Sequence, residues 1–378
     1  MAGNDVHAIT LEASGKAEPE YQLLPAVAVP EGSDVPAART KHSACAFNVC
    51  VAVYGGCDTK GNLIDKESII WLYNTGKSAW ESMKATDSKA SAPGSRSQCS
   101  LFNFKNNILL YGGKTDQESV KDVWYFDYAG KTWTQLPSAP VSVTNAALAD
   151  GSLYLISGQD QMSSKVHSLD IDKALQEANE RKEQVPNKEQ KEAQDQEDDE
   201  EEEEPEPRIK WATATFPTNP LTPGPRPRFG GGLLPISTGY GRNYLLYFFG
   251  SRQSPLNNNL DPSTHDDPTQ WSDIWTYQIP SATPEAKPTT SLADMVKPAA
   301  IKDAIRARLG YDSGEHSWAE VEVQAPGDIT DVGEGKLHPG PRGFFGADVM
   351  EDGKTVVLWG GVNARGEREG DGWMIKLE

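Results

Sequence analysis

The distribution of apolar residues along the chain predicts short β-strands separated by polar turns. Five apolar, β-prone runs end in glycine: Val51–Tyr54, Ile108–Tyr111, Leu153–Ile156, Tyr244–Phe249 and Thr355–Trp359. Glycine suits the turns that follow, because it adopts positive φ without steric cost. Each glycine is followed by a polar loop and then by a second β-prone run. This second run is clearest at Ile70–Tyr73, Val123–Asp127 and Ile274–Tyr277. The pattern therefore predicts a repeated unit of consecutive strands.

Tryptophan and arginine mark the remaining strands of the repeat. A third run opens with Trp80, Trp133, Trp211 and Trp318 in successive copies. The run ahead of each glycine is opened by Arg39, Arg96, Arg228 and Arg342, with Ser142 in the third copy. The pattern thus predicts that each unit of about 45 to 55 residues contains four strands and no crossover helix, which is typical of a β-propeller blade.

The glycine doublet, the aromatic run and the spaced tryptophans resemble the Kelch motif, and the resemblance covers nearly the whole chain outside two insertions. It implies that the first strand of each blade lines the axis and that the tryptophans lie between neighbouring blades. We expect an all-β fold, a single Kelch-type β-propeller domain over residues 1–378 with five blades. Six blades is the alternative, if Val6–Leu11 and a poorly patterned segment form a further, degenerate blade.

The two ends of the chain predict how the ring closes. The last repeat stops at its third strand, Trp373–Glu378. Tyr21–Pro25 aligns with Trp133–Pro137, which is a fourth strand. Pairing of Tyr21–Pro25 with Trp373–Leu377 would close the ring and remove exposed strand edges.

Two insertions interrupt the repeat between third and fourth strands. Residues 172–208, in blade three, are acidic and almost without apolar side chains, so we expect a disordered loop. Residues 280–315, in blade four, predict a linker and two short helices, because Ser291 and Asp294 have capping-box spacing and Gly310 suits a helix end. In a propeller both insertions lie on one face. The alternative is that these charges only keep the surface solvated.

Charge is concentrated in one segment. The net charge is −19, and Glu192–Glu206 alone contains eleven acidic residues, which leaves −8 for the rest. An acidic chain gives little support for binding nucleic acid through phosphate contacts. No apolar run reaches membrane-spanning length and the start lacks a secretory signal. The four cysteines lack CxxC spacing and predict free thiols, so we expect a cytoplasmic protein.

One long loop contains candidate metal ligands. Within Ser251–Asp273, the residues Asn257, Asp261 and His265 are spaced four and four. The spacing is similar to the Glu-x-x-x-Asp-x-x-x-His iron motif of plant nitrile-specifier and thiocyanate-forming proteins, which are Kelch propellers. The resemblance implies that Asp261 and His265 bind Fe²⁺ and that His338, on a neighbouring blade, completes the site. Asn257 stands where the motif has glutamate, and an amide is the weaker ligand. The alternative is a chance spacing in a polar loop.

The repeated arginines give a second candidate site. Arg39, Arg96, Arg228 and Arg342 would form a ligand-binding rim for an anionic ligand or an acidic peptide. The alternative is that each arginine pairs with a carboxylate or carbonyl of its own blade.

We therefore predict a protein-interaction or scaffold module without a cofactor, which binds protein partners through one loop face and an acidic arm. The alternative is an iron-dependent, specifier-like lyase or isomerase, acting on a small molecule at the top of the propeller channel. Fold alone does not choose between the two.

Overall fold

A computed structural model describes most of the chain as β-strands. The described residues are 4–11, 19–65, 67–86, 91–142, 145–159, 163–184, 208–216, 224–238, 242–252, 270–280, 316–322 and 338–377. The predicted second insertion, 280–315, lies outside them from residue 281 onward, together with its two predicted helices, as do Asn257, Asp261 and His265. Among the residues that the structure describes, no helix is long and apolar enough to cross a bilayer.

The strands form five blades after an N-terminal hairpin, which confirms the predicted five-blade propeller. The hairpin consists of β1 (Val6–Thr10) and β2 (Glu20–Leu24). Blade 1 consists of β3 (Ser43–Phe47), β4 (Cys50–Tyr54), β5 (Ile70–Asn74) and β6 (Ala79–Met83). Blade 2 consists of β7 (Ser100–Phe104), β8 (Asn107–Lys114), β9 (Ser119–Asp127) and β10 (Thr132–Leu136).

The other three blades follow the same order. Blade 3 consists of β11 (Asn145–Ala149), β12 (Ser152–Gly158), β13 (Ser164–Asp170) and β14 (Ala212–Ala214), with helix α1 (Ile171–Gln184) between its last two strands. Blade 4 consists of β15 (Gly232–Thr238), β16 (Arg242–Phe248), β17 (Ile274–Gln278) and β18 (Trp318–Glu320). Blade 5 contains β20 (Gly346–Val349), β21 (Thr355–Trp359) and β23 (Gly372–Lys376). The short strands β19 (Arg342–Gly343) and β22 (Val362–Asn363) form a separate two-stranded sheet.

Antiparallel pairing gives the propeller two distinct faces. Within each blade the strands pair in chain order, and the first strands of successive blades contact each other near the axis. The turns between first and second strands and the insertions between third and fourth strands therefore share one face, here called the insertion face. Lys105, in the first turn of blade 2, lies 2.6 Å from Asp172, at the start of α1, which agrees with this arrangement. The second-to-third-strand loops and the blade-to-blade connections form the opposite face, here called the loop face.

Hydrophobic side chains are buried between the blades. Four core clusters lie between blades 1 and 2, 2 and 3, 3 and 4, and 4 and 5. Trp133 and Trp124 meet edge to face in the first of these clusters. Trp133, Trp211 and Trp318 therefore pack between blades, as the resemblance implied, whereas Trp80 packs against the N-terminal hairpin.

The N-terminal strand does not close the last blade, so the predicted pairing was wrong. Tyr21 pairs with Ile9 in the hairpin, while β23 pairs with β21. Leu24 instead packs against a cluster on blade 1 that includes Trp80, and Trp80 exchanges backbone hydrogen bonds of 2.7 and 2.8 Å with Val27 and Val29. The alignment of Tyr21–Pro25 with the fourth strand of blade 2 did not predict this hairpin. Val6–Thr10 is close in the chain and pairs with Glu20–Leu24 instead.

The first insertion begins with a helix, so the predicted disordered loop was wrong over its first part. Ile171, Ala174, Leu175 and Ala178 have helical spacing and pack on the cluster between blades 2 and 3. The carboxylate of Asp170 accepts the backbone N–H of Lys173 at 3.0 Å, as an N-cap residue does. The acidic composition of the insertion as a whole concealed this apolar stripe. Residues 185–207 lie outside the described residues.

Candidate functional site

Each predicted rim arginine lies in a buried hydrogen-bonded unit of its own blade. In blade 4, Arg228 donates to both carboxylate oxygens of Asp273, at 2.7 and 2.9 Å, and to the carbonyl of Phe249 at 3.1 Å. The indole of Trp275 donates to the same carboxylate at 2.6 Å. Arg96 with Asp122 and Trp124, and Arg342 with Asp371 and Trp373, repeat this arrangement. Bidentate arginine–carboxylate pairs are among the stronger polar contacts in proteins.

Blade 1 builds the same unit from a different aspartate. In blades 2, 4 and 5 the residue two positions before the third-strand tryptophan is aspartate, whereas in blade 1 the residue two positions before Trp71 is Ile69. Asp65, from the preceding loop, pairs with Arg39 instead and accepts the indole N–H of Trp71 at 3.1 Å. Asp65 meets only one nitrogen of the guanidinium, and the buried Nη2 of Arg39 has no hydrogen-bond partner within the described part of the chain.

The four arginines therefore fit the alternative given for the rim, in which each arginine pairs with a carboxylate or carbonyl of its own blade. All four side chains are at most 9 % exposed. Burial alone would raise the pKa of the Asp273 carboxyl, but the hydrogen bonds and charge of Arg228, with the Trp275 indole, hold that pKa below its ordinary value. A guanidinium committed to an internal carboxylate has little capacity left for an external anion. Ligand binding by these four residues stays a prediction.

Residues with left-handed backbone recur beside the axis, two positions after each of these arginines. Lys41, Gln98, Gly230 and Phe344 have φ of 56°, 55°, 57° and 58°. The N–H of Gln98 donates to the carbonyl of Lys41 at 2.8 Å, and Phe344 donates likewise to Gly230 at 2.7 Å, so these contacts link one blade to the next. Phe344 is 44 % exposed. A bulky residue rarely adopts this conformation, and such strain is concentrated at functional sites.

An arginine–tryptophan cluster lies on the loop face of blade 4. The guanidinium carbons of Arg226, Arg228 and Arg252 lie 5.2, 5.9 and 5.9 Å from the ring centroid of Trp271. Arg226 and Arg252 are exposed, and Arg226 forms no ion pair with any described residue. Arginine attracted to an aromatic face keeps its charge available on its other side. The cluster therefore presents positive charge to solvent on an otherwise acidic molecule.

Two buried polar atoms beside this cluster have no hydrogen-bond partner among the residues that the structure describes. They are Nε1 of Trp271 and Oε1 of Gln270, and Gln270 is 7 % exposed. A Cβ added to Gly343 would lie 3.0 Å from that oxygen, so Gln270 extends toward β19, which Phe344 directly follows. Buried polar groups are normally satisfied, and an unsatisfied one costs about 1–3 kcal/mol. We define the loop-face site as Arg226, Arg252, Gln270, Trp271 and Phe344.

The structure describes one of the three predicted iron ligands. His338 is partly buried, its Nδ1 accepts the N–H of Gly340 at 2.9 Å, and its ring lies edge-on to Phe249 at 5.9 Å. Burial, and then the charge of Arg342, lower the pKa of the imidazole, which favours the neutral form that binds metals. No metal-binding group of three or more His, Cys, Asp or Glu occurs within the described residues. Asp261 and His265 lie outside them, so the iron site stays a prediction.

Sequence reasoning missed the aspartates and the arginine–tryptophan cluster. The spacing Asp-x-Trp at Asp122, Asp273 and Asp371 was available as a signal for the aspartates. Asp65 carries no such signal, because a loop brings it into place. Arg226 and Trp271 are 45 positions apart, and only the fold places them in contact.

Comparison with known families agrees with this geometry. A family model, the KLHDC2/KLHL20/DRC7 Kelch-repeats domain, matches residues 20–193, which span the hairpin strand β2, blades 1 and 2 and most of blade 3. No curated protein matches the chain.

Proposed function

Since the chain is a Kelch-repeat β-propeller, we propose that it is a protein-interaction module whose loop-face site binds an acidic segment of a partner protein. Kelch propellers generally mediate contacts between proteins. The observation that carries the finer proposal is the cluster on Trp271, in which Arg226 is exposed and forms no ion pair with any described residue, so that its guanidinium attracts a carboxylate. Nε1 of Trp271, which has no hydrogen-bond partner among the described residues, is a further donor beside it.

The site combines charge with exposed aromatic surface, which suits a peptide better than a simple anion. Phe344 supplies apolar area next to the axis, and interface energy is concentrated at aromatic and arginine residues. Guanidiniums at the rim would steer an acidic partner toward the site and make its association sensitive to salt.

The acidic arm, Glu192–Glu206, is the second contact in this proposal. It belongs to the insertion that α1 begins, and α1 starts on the insertion face. A basic partner segment would bind there independently of the loop-face site. The protein would act in the cytoplasm, and its four cysteines are free thiols, as a reducing compartment favours.

Affinity purification with mass spectrometry tests the loop-face site. We expect the double variant Arg226→Glu, Arg252→Glu to lose the partners captured by the wild type. The matched control reverses two exposed charges on the insertion face, Lys77→Glu with Lys131→Glu, and should keep them. Replacing residues 192–206 by a neutral linker of equal length should remove only the basic partners. An unchanged partner set in the double arginine variant would contradict the proposal.

A further inference from the structure

Blade 3 lacks the arginine–aspartate–tryptophan unit that the other four blades contain. The residues that lead into its first strand, 137–144, include no arginine. By the strand register, His167 stands where blades 1, 2, 4 and 5 have tryptophan, and Lys165 stands where blades 2, 4 and 5 have aspartate. The internally neutralised pair of the other blades is therefore replaced here by a single positive charge.

A hydrogen-bonded chain of uncharged side chains takes the place of that unit. Nε2 of His167 lies 2.8 Å from Oγ of Ser157, on the second strand, and Nδ1 lies 2.8 Å from Oγ1 of Thr213, on the fourth strand. His167 is 4 % exposed, and Leu155, which pairs with it, belongs to the cluster between blades 2 and 3. The imidazole is therefore held between two hydroxyls, on the side of blade 3 that faces blade 2.

Lys165 has no counter-charge to balance it. Its Cα lies opposite Ser157 in the strand register, two residues before His167 and on the same face of the sheet. It is half-buried, and its side chain forms neither an ion pair nor a hydrogen bond with any residue that the structure describes. Burial, and then the charge of Lys165, lower the pKa of His167, so the ammonium group lies near the imidazole. A partly buried charge without a partner costs free energy, which a bound anion would offset.

A buried hydroxyl beside Lys165 also lacks a partner. Oγ of Ser163 makes no hydrogen bond to any described residue, and Ser163 is 4 % exposed. Side chains alternate along an extended strand, so Ser163, Lys165 and His167 lie on one face. The hydroxyl of Ser164 points to the other face and donates to the carbonyl of Pro225 at 2.8 Å, which agrees with this alternation. Buried hydroxyls are normally hydrogen-bonded, so the Ser163 hydroxyl indicates a missing partner.

We propose that Lys165 and Ser163 bind an oxyanion, a carboxylate or phosphate group of a ligand, at the boundary between blades 2 and 3. Ammonium and hydroxyl groups are both donors, and hydrogen bonds to a charged acceptor are the stronger ones. The site is independent of the loop-face site, because it lies on the side of blade 3 that faces blade 2 and uses none of the same residues.

Ser157 supplies a third donor through the imidazole. A neutral imidazole donates from one ring nitrogen and accepts at the other. When Nε2 of His167 donates to Ser157, the Ser157 O–H is left to point at the anion, and Thr213 donates to Nδ1. Anion binding should therefore favour the tautomer of His167 with its proton on Nε2.

Nitrogen NMR of protein that contains isotope-labelled histidine tests the site. Sodium phosphate and sodium acetate are titrated separately at about pH 7.5, where the imidazole is neutral, and sodium chloride keeps the ionic strength constant. The His167 signals are assigned by their loss in His167→Gln. We expect one or both anions to shift these signals saturably toward the Nε2-protonated tautomer. The anion that saturates at the lower concentration identifies the group bound.

Two variants and a control locate the anion. Lys165→Met should abolish the saturable shift, and Ser163→Ala should weaken binding about ten-fold, the effect of a hydrogen bond worth about 1.4 kcal/mol. Lys131→Met removes an exposed lysine on the insertion face and should respond as wild type. No shift with either anion, an equal shift with chloride, or an unchanged response in Lys165→Met would overturn the proposal. If Lys165→Met does not fold, an unchanged affinity in Ser163→Ala overturns it instead.

Discussion

At the scale of single residues, the repeated arginine stabilises the second strand's glycine turn and the third strand together. Arg342 shows both contacts, since it donates to the carbonyl of Gly360 at 3.0 Å and to Asp371 at 2.7 Å. Gly360 itself has φ of 68°, which other residues adopt only with strain. The periodic arginines and glycines of the sequence thus belong to one interaction, although they lie far apart in the chain.

Replacing the aspartate of one unit should be costly. Asp273→Asn leaves the buried charge of Arg228 without its carboxylate, so we expect a loss of about 3–5 kcal/mol in the free energy of unfolding. Denaturant titration measures this, with the exposed Asp116→Asn as control. A loss no larger than that of the control would show that the pair contributes little.

The same aspartate should make stability depend on acid. Its pKa is lowered in the folded state, so its stabilisation is complete above the unfolded pKa of about 3.9 and is lost as pH falls through the folded value. Wild-type stability should therefore fall more steeply below about pH 4 than that of Asp273→Asn. Parallel pH profiles of the two proteins would contradict this.

At the scale of elements, α1 holds the base of the acidic insertion. The buried carboxylate of Glu177 accepts the backbone N–H groups of Arg208 and Ile209, both at 2.7 Å, and a further bond from Arg181. The chain that leaves α1 is thereby held beside the chain that re-enters blade 3. The two ends of the acidic segment are therefore held together at one place on the propeller.

Removing this clamp should loosen the insertion without unfolding the propeller. Glu177→Ala removes the carboxylate that accepts the N–H groups of Arg208 and Ile209, and we expect a loss of about 1–3 kcal/mol in the free energy of unfolding and faster proteolysis within residues 185–207. Glu180→Ala, on the same helix, removes an equal charge and should behave as wild type. Equal cleavage rates in both variants would show that Glu177 does not hold the insertion.

The sequence predicted these elements unevenly. Strand positions, blade order and inter-blade tryptophans followed from local pattern, because glycine turns and alternating side chains act over a few residues. Helix α1 did not, because four apolar residues were outweighed by the acidic residues after them. The loop-face site also could not be predicted, since Arg226 and Trp271 meet only through the packing of the folded blade.

At the scale of the whole molecule, blade 1 and blade 5 are covered differently. The outward face of blade 1, with Trp71 and Trp80, is packed by Val6 and Leu24 of the hairpin. Among the described residues, no side chain of blade 5 belongs to that cluster, and Trp359 stands 50 % exposed. The hairpin therefore stabilises the first blade rather than the last.

Adjacent leucines provide a test of this assignment. Leu24→Asp places a charge against the Trp80 cluster and should speed hydrogen exchange in β5 and β6, while Leu23→Asp, at a 55 % exposed position, should not. Faster exchange in β21 and β23 would instead support pairing of the N-terminal strand with the last blade.

The hairpin has a consequence for how the propeller comes apart. A propeller that is closed by one strand shared between its first and last blades has no terminal blade, because each blade then contacts a neighbour on both sides. Here the hairpin of β1 and β2 covers blade 1, and no described residue outside blades 4 and 5 belongs to the cluster that buries the side chains of blade 5. In such a molecule the stability of each blade depends mainly on its contacts with the adjacent blades, as in a linear array of repeats. Denaturation should then start at the two ends and move inward, and blade 3 should be the last to melt.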